Sequence, residues 1–261
     1  MADLAPPWQR FIGIDYSGAA DGWTRLPGLR VYLATLAAEP AEIRPDPSRP
    51  GRHWTRQEVA QWLLDRLREP PPTLVGIDHA LSFPLAYFER YQLPLDWQTF
   101  LRDFVAHWPV DQPGVTVESI RRRGPQRMGE TRWRRLAERR DGRAKSVFHF
   151  DVPGSVAKST HAGLPWILAL QSQLGPSLHG WPFDGWAIPP GRSAICEVYP
   201  SRMRLGPAPA DLTQDQFDAW SVAAWLRRRA LAGTLRASLS PTLTADERAL
   251  ATIEGWILGV D

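Results

Sequence analysis

The sequence has few of the residues that form disulfides, thiolate metal sites or membrane spans. Its 261 residues include one cysteine, Cys196, which excludes an internal disulfide and a cysteine-based zinc site. No apolar run approaches the roughly 18 residues of a membrane span, and the opening MADLAPPWQR lacks the apolar stretch of a signal peptide. We therefore expect a cytoplasmic protein that does not contact a membrane.

Lysine is scarce as well, because only two of the 31 basic residues are lysines. The net charge is +3, but the segment from Arg121 to Lys145 alone has eleven basic and three acidic residues. Such a concentration of charge is typical of a surface that contacts a polyanion. It is equally expected of a solvated arginine-rich helix or loop, so both interpretations stay open.

Short apolar runs and capping signals predict an α/β core. Each expected strand is an apolar stretch bounded by turn residues. Each of the three helices expected outside the middle of the sequence starts at a threonine that is followed three residues later by Glu or Gln, the pattern of a capping box. The strands are expected at 10–15, 29–35, about 39–44, 73–78 and 193–200, and the helices at 55–69, 213–232 and about 244–257. The chain therefore begins strand, strand, strand, helix, strand.

The middle of the sequence is less regular. It contains a helix-like stretch from Asp96 to His107, a loop DVPGSVAKSTHAG, and a helix expected near Pro165 to Gln173. We interpret it as an insertion or elaborated crossover. The prediction is a single domain over 1–261, with a core at about 8–79 and 191–261 and an insertion at about 80–190.

Four acidic residues stand where a charge is costly unless it reaches a strand end or a partner. Asp15 and Asp78 end apolar strands, Glu197 lies inside another, and Asp218 follows near the start of a helix. If the two Asp-ending strands run parallel, both carboxylates emerge at the sheet edge where open α/β folds bind ligands. Crowded carboxylates normally need a divalent cation, and oxygen-only ligands favour Mg²⁺ or Mn²⁺ over Zn²⁺.

Each acid taken alone also has a simpler interpretation. Asp15 could form an ordinary turn with the following Ser-Gly, and Asp78 could cap a turn. Glu197 and Asp218 could each pair with a buried arginine. The four acids together favour a shared site.

Five stretches resemble the conserved blocks of the domain of unknown function 429 family. They are GIDYSG, VGIDHALSFP, CEVYPS, DAWSVAAWL and EGWILGV, and they occur in the family's order over roughly the first 85 and the last 70 residues. That family is a group of predicted ribonuclease H-like nucleases, related to retroviral integrases and Holliday-junction resolvases. The resemblance implies a ribonuclease H-like mixed sheet that begins strand, strand, strand, helix, strand and is flanked by helices.

The resemblance also implies the site. Asp15, Asp78, Glu197 and Asp218 match the family's acids, so they are the expected catalytic and metal-binding residues. Glu254 lies in the EGWILGV block, where it is either a site acid or structural. The sequence departs from the family after the second aspartate, where His-Ala replaces the usual Ala-Pro.

The implied mechanism is hydrolysis of phosphodiester bonds with two Mg²⁺ or Mn²⁺ ions, with Asp15 bridging them. The candidate substrate contacts are Lys158, His161, His79 and Arg135. For the loop with Lys158 and His161, a turn and helix cap is an alternative interpretation, and a lone histidine is more often a packing residue. The expected partner is a nucleic acid or a phosphorylated small molecule. Because related resolvases act as dimers, a homodimer is left open.

Other functions stay open. An actin-like phosphotransferase or ATPase also has a first strand ending in Asp-x-Gly-Thr, but here the glycine, Gly18, is one position late. The chain is also short for the two domains that such proteins need. A phosphate-loop NTPase is excluded, because Gly124 and Gly129 are followed by Glu130 where a lysine is required.

A non-catalytic binding module is the alternative from another class. It would present the basic segment and Trp133 to nucleic acid, since aromatic side chains stack on bases. Uptake of Mn²⁺ that depends on the acids would separate a catalytic site from such a module.

Overall fold

The computed structural model describes residues 8–48, 51–124 and 127–261. They contain a six-stranded sheet whose strands are short and largely buried. The strands are β1 (Arg10–Asp15), β2 (Arg30–Thr35), β3 (Ala41–Ile43), β4 (Thr73–Ile77), β5 (Leu178–Gly180) and β6 (Ser193–Glu197). The protein is thus an α/β protein with a mixed sheet, as the sequence predicts.

The strand order in the sheet is β3-β2-β1-β4-β6-β5. The first three strands form an antiparallel meander, whereas β1, β4, β6 and β5 run parallel to one another. The carboxyl ends of β1, β4 and β6 therefore meet at one edge of the sheet. In parallel sheets, this edge is where ligands bind.

Helices cover both faces of the sheet. Ten α-helices lie in the described residues, together with one 3₁₀ turn at Gly175–Ser177. They are α1 (Arg56–Arg68), α2 (Leu85–Tyr91), α3 (Trp97–His107), α4 (Val117–Arg122), α5 (Leu136–Asp141), α6 (Ala157–Leu174), α7 (Pro200–Met203), α8 (Gln214–Leu231), α9 (Leu235–Ser238) and α10 (Ala245–Glu254). None of the helices in the described residues is long and apolar enough to cross a membrane.

The three predicted capping boxes are all present. Thr55, Thr213 and Thr244 each accept a hydrogen bond from the backbone N–H three residues on, and the Glu or Gln there bonds back to the threonine N–H. The last helix ends earlier than predicted, at Glu254, because the next residue, Gly255, has φ +83°. The chain then turns and forms a bridge to β6 through Ile257.

Helix α6 begins earlier than predicted, at Ala157, so half of the expected loop is helical. Pro165 lies inside this helix, where it removes one backbone hydrogen bond. The helix is buried along most of its length and packs against α1 and α3. This burial outweighs the proline signal, which had placed the helix start near residue 165.

The middle stretch shares the core of the rest of the chain. One apolar cluster joins β1, β4 and α1 to buried residues of the stretch, including Phe83, Phe100 and Phe148. Strand β5 extends the sheet at its edge, and the sequence analysis did not foresee this three-residue strand. The predicted insertion is therefore packed into the same core as the predicted central domain.

The opposite face of the sheet is covered by α8, which lies unusually close to the strands. A Cβ atom at Gly13 in β1 would stand 2.2 Å from the carbonyl oxygen of Ala219. A Cβ at Gly76 in β4 would stand 2.7 Å from a methyl group of Val222. Glycine at these two positions allows the helix to approach the sheet and places the start of α8 near the sheet edge.

We expect Gly13→Ala to destabilise the protein by about 1–3 kcal/mol, because the contact with α8 is with rigid backbone. Chemical denaturation measures the change. Gly206→Ala is the matched control, since a Cβ there meets no atom within 4 Å. An equal effect of the two substitutions would contradict the close packing of α8.

Candidate active site

Asp15 and Asp78 lie side by side at the carboxyl ends of two adjacent parallel strands. Ile14 of β1 pairs with Ile77 of β4, so the next residue of each strand is an aspartate. The backbone N–H of Asp78 donates to the carbonyl oxygen of Ile14 at 3.0 Å, which continues the ladder to this point. The two carboxyl groups lie close enough for each to act directly on the titration of the other. The sequence predicted this convergence.

No ion pair neutralises these two carboxyl groups within the described ranges. Arg30, which lies opposite Asp15 across β1 and β2, pairs instead with Glu42 at 3.0 Å. One oxygen of Asp78, Oδ1, is buried and has no hydrogen-bond partner. The described residues thus supply no counter-charge to the acid pair.

Burial raises the pKa of both carboxyl groups above the ordinary aspartate value. For Asp15, the neighbouring charge of Asp78 raises the pKa further, followed by those of Asp215 and Asp218. For Asp78, the charges of Asp218 and Glu197 add to the effect of burial. Two such carboxyl groups in contact titrate as a unit, so the pair holds at least one proton at neutral pH in the absence of a cation.

Glu197, the third predicted acid, is bound to an arginine. Both of its oxygens accept hydrogen bonds from Arg135 at 2.6 Å, in a bidentate arrangement. Arg135 also donates to Glu138 at 2.8 Å, and all three side chains are buried. One guanidinium therefore lies between two carboxylates, so Glu197 has the arginine-bound role that the sequence analysis left open as an alternative.

Asp218, the fourth predicted acid, is on α8 and is also engaged. It accepts hydrogen bonds from Arg204 at 2.8 Å and from Gln214 at 2.7 Å. Asp215, one turn earlier on the same helix, acts on Asp15 electrostatically and was not identified from the sequence. Its spacing of three residues from Asp218, which places both on one helix face, was the available signal.

The carboxylates do not form a complete metal site as they stand. Within 8–48, 51–124 and 127–261, no three His, Cys, Asp or Glu side chains form a group that could hold a metal ion. The unpartnered oxygen of Asp78 beside Asp15 fits one divalent cation with oxygen ligands. The predicted four-carboxylate set does not fit in this arrangement, because Glu197 is bound to Arg135.

His161 and Lys158, two of the predicted substrate contacts, lie on α6 outside the acid pair. His161 is fully buried among aromatic side chains, and burial lowers its pKa to about 3. Its Nδ1 hydrogen-bonds the carbonyl oxygen of Ala157, as expected of a packing histidine. Lys158 is partly exposed and forms an ion pair with Glu118 at 2.8 Å.

His79 and Arg135, the other two predicted contacts, are both buried with 1% exposure. The ring of His79 packs edge-on against Tyr16, and burial lowers its pKa to about 4. Neither side chain is accessible to a large substrate in this arrangement. Arg135 does line a cavity next to Asp78, where its role is to hold Glu197.

Lys145 is the cation next to the acid pair that the sequence analysis did not single out. It lines the same small cavity as Asp78, together with Gly154 and Val156 before the start of α6. Its ammonium group donates to the carbonyl oxygen of Pro153. It is the last residue of the basic segment and one of the two lysines, which was the only signal in the sequence.

Much of the charge of the basic segment is used within the fold. Several of its arginines form ion pairs with acids elsewhere in the protein, namely Arg121 with Glu118 and Asp151, Arg127 with Asp103, and Arg140 with Glu247. Trp133 packs against Phe148. These contacts favour the interpretation of the segment as structural over that of a dedicated polyanion surface.

Glu254 has a structural position. Its two oxygens accept hydrogen bonds from the backbone N–H groups of Leu85 at 2.7 Å and Leu136 at 2.6 Å. These N–H groups begin α2 and α5, so the end of α10 caps two helices of the middle stretch.

The chain was compared with protein-family models, with curated proteins and with solved structures. None of the three comparisons found a match.

Proposed function

We propose that this protein is a metal-dependent hydrolase of phosphodiester bonds, built on a ribonuclease H-like core. The observation that carries the proposal is the pair of aspartates, Asp15 and Asp78, which interact at the carboxyl edge of parallel strands and have no counter-charge among the described residues. Uncompensated carboxylates are costly to maintain, and they are retained where function needs them. A cation site is the function that fits them best.

The topology supports the ribonuclease H-like assignment. The first elements of the chain are β1, β2, β3, α1 and β4, the order that the family resemblance implies. The two acids that the resemblance names first follow β1 and β4, which are adjacent in the sheet. The resemblance and the geometry of the site thus favour the same assignment through the same two residues, Asp15 and Asp78.

Asp15 and Asp78 would hold a divalent cation, Mg²⁺ or Mn²⁺, between their carboxylates. When bound, such an ion supplies activation of a water and stabilisation of the charge that develops on a phosphate. Asp215 and Asp218, on the facing end of α8, add negative charge that favours the bound ion. Glu197 contributes by its charge on Asp78 and is held in place by Arg135.

Lys145 would contact a phosphate oxygen of the substrate. An ammonium group on a flexible side chain suits this role, and Lys145 lines the cavity beside Asp78. Among the described residues, its ammonium group donates to a backbone carbonyl and has no carboxylate partner that a substrate would have to displace. The substrate class is a nucleic acid or a phosphorylated small molecule.

The experiment is a cleavage assay on the full chain, freed of metal and then supplied with Mn²⁺ or Mg²⁺. The substrates are branched DNA, single-stranded DNA, an RNA–DNA hybrid and a small aryl phosphodiester. We expect cation-dependent cleavage of at least one of them, and its loss in Asp78→Asn. Asp246→Asn, which changes an exposed aspartate on α10, should cleave normally.

Two results would contradict the proposal. One is equal cleavage by the wild-type protein and Asp78→Asn, which would place the activity elsewhere. The other is binding of nucleic acid without cleavage and without uptake of either cation, which would favour the non-catalytic module.

A further inference from the structure

A small cavity lies between helices α1 and α6 and the carboxyl ends of β1 and β4. It is lined by Tyr16 and His79, the residues that directly follow the two aspartates, and by Arg56 of α1 and Trp166 of α6. Its volume is about 10 Å³, which is close to the minimum that one water molecule requires. The remaining lining is apolar, apart from the backbone.

Each of these four residues has one buried polar atom without a hydrogen-bond partner. The atoms are the hydroxyl oxygen of Tyr16, Nε of Arg56, Nε2 of His79 and Nε1 of Trp166. Tyr16, Arg56 and His79 are themselves 8%, 1% and 1% exposed. An unpaired buried polar group costs about 1–3 kcal/mol, so four of them on residues that line one cavity point to a common partner.

The hydrogen-bonding roles of these atoms follow from their other contacts. Nδ1 of His79 lies 2.8 Å from the carbonyl oxygen of Ala80, and a carbonyl can only accept, so Nδ1 carries the proton. Nε2 of the neutral ring is therefore an acceptor. The terminal nitrogens of Arg56 donate to the backbone carbonyls of Ser17 and other residues of the loop after β1. Its Nε–H is therefore left as a donor without a partner.

We propose that one ordered water molecule occupies this cavity and bridges the four residues. A water can donate to His79 Nε2 and to the hydroxyl of Tyr16, and it can accept from Arg56 Nε–H and Trp166 Nε1–H. An anion would suit the donors but would face the lone pair of His79 Nε2. A water molecule has two donors and two acceptor sites, which match the two acceptors and two donors that these four residues offer.

The water links the two strand ends that carry the acids. Tyr16 follows Asp15 and His79 follows Asp78, so a shared bridge restrains the two carboxyl groups relative to each other. The Nε2 edge of the His79 ring packs closely against α6, since a Cβ at Gly163 would lie 2.3 Å from Nε2. The water is therefore part of the support of the acid pair. The inference does not depend on the proposed hydrolysis.

The direction in which Tyr16→Phe changes the melting temperature tests whether the cavity holds a water. If the Tyr16 hydroxyl bonds to a water, Tyr16→Phe should lower the melting temperature by about 2–6 °C, because a buried hydrogen bond is lost. If the cavity is dry, the same substitution removes an unpaired polar group, so the melting temperature should stay unchanged or rise. Tyr32→Phe is the control for the loss of a tyrosine hydroxyl as such, because the Tyr32 hydroxyl is not among the buried, unpartnered atoms. An unchanged or raised melting temperature for Tyr16→Phe would overturn the proposal.

A second measurement observes the water directly. In the NMR spectrum of the metal-free protein, the indole N–H of Trp166 should show a cross-peak to a long-lived water, and Trp166→Phe identifies the signal. Trp220→Phe, at a partly buried indole on α8, should leave that peak in place. Absence of the cross-peak, or replacement of the water by an anion in a crystal soaked with bromide, would overturn the proposal.

Discussion

Replacing Asp15 by asparagine is expected to abolish activity and to stabilise the metal-free protein. We expect cleavage to fall by about a hundredfold or more, equivalent to about 2.7 kcal/mol in the activation barrier, because half of the cation site is lost. Stability at pH 8 should rise by about 1–3 kcal/mol, since asparagine stays neutral and avoids the cost of either protonating a carboxyl group or placing its charge beside Asp78. A substitution that only damages the fold would lower both quantities.

The raised pKa values of the acid pair determine how the stability of the metal-free protein changes with pH. The pKa values of Asp15 and Asp78 are raised in the folded protein, mainly by burial. Between the ordinary aspartate pKa of about 4 and the raised values, the folded state therefore binds more protons than the unfolded state. The contribution of the pair to stability falls as pH rises through this interval.

Denaturant unfolding of the metal-free protein at several pH values between 5 and 9 measures this slope. Asp15→Asn should flatten it, whereas Asp246→Asn should leave it unchanged. An Asp15→Asn protein that is less stable than wild type at pH 8 would contradict the raised pKa of the pair.

Replacing Arg135 by methionine is expected to cost about 3–5 kcal/mol of stability. The substitution leaves Glu138 and Glu197, which are 0% and 4% exposed, without their shared guanidinium. Removing one partner of a buried ion pair strands the other charges in a low dielectric, which is the source of the cost. The melting temperature should fall by about 6–20 °C.

The control is Arg132→Met, which removes an exposed ion pair with Glu130. Such surface pairs contribute about 0–1 kcal/mol, so this variant should be close to wild type. Similar stability of the Arg135→Met and Arg132→Met proteins would show that Arg135 is not structural. In that case, its predicted role as a substrate contact would have to be considered again.

The acid pair could be predicted because its determinants are local. Each aspartate directly follows an apolar run, and two such runs that pair in parallel must place their ends together. The capping boxes of α1, α8 and α10 are local in the same way, which is why their first residues were predicted correctly.

The partner of Glu197 could not be predicted in the same way. Arg135 lies 62 residues away in the middle stretch, and the sequence contains many arginines, so no pattern distinguishes it. Asp215 was missed because an acid in the first turn of a helix is common there for electrostatic reasons alone. Long-range pairing with the middle stretch thus gives Glu197 its counter-charge.

The most direct test of the cation site is titration calorimetry of the metal-free protein with Mn²⁺ at pH 7, in two buffers of different ionisation enthalpy. We predict saturable binding with release of about one proton, because the pair must be deprotonated to bind the ion. The binding should be lost in Asp15→Asn and retained in Asp246→Asn. Absence of saturable binding, or equal binding by Asp15→Asn, would contradict the assignment of Asp15 and Asp78 as a cation site.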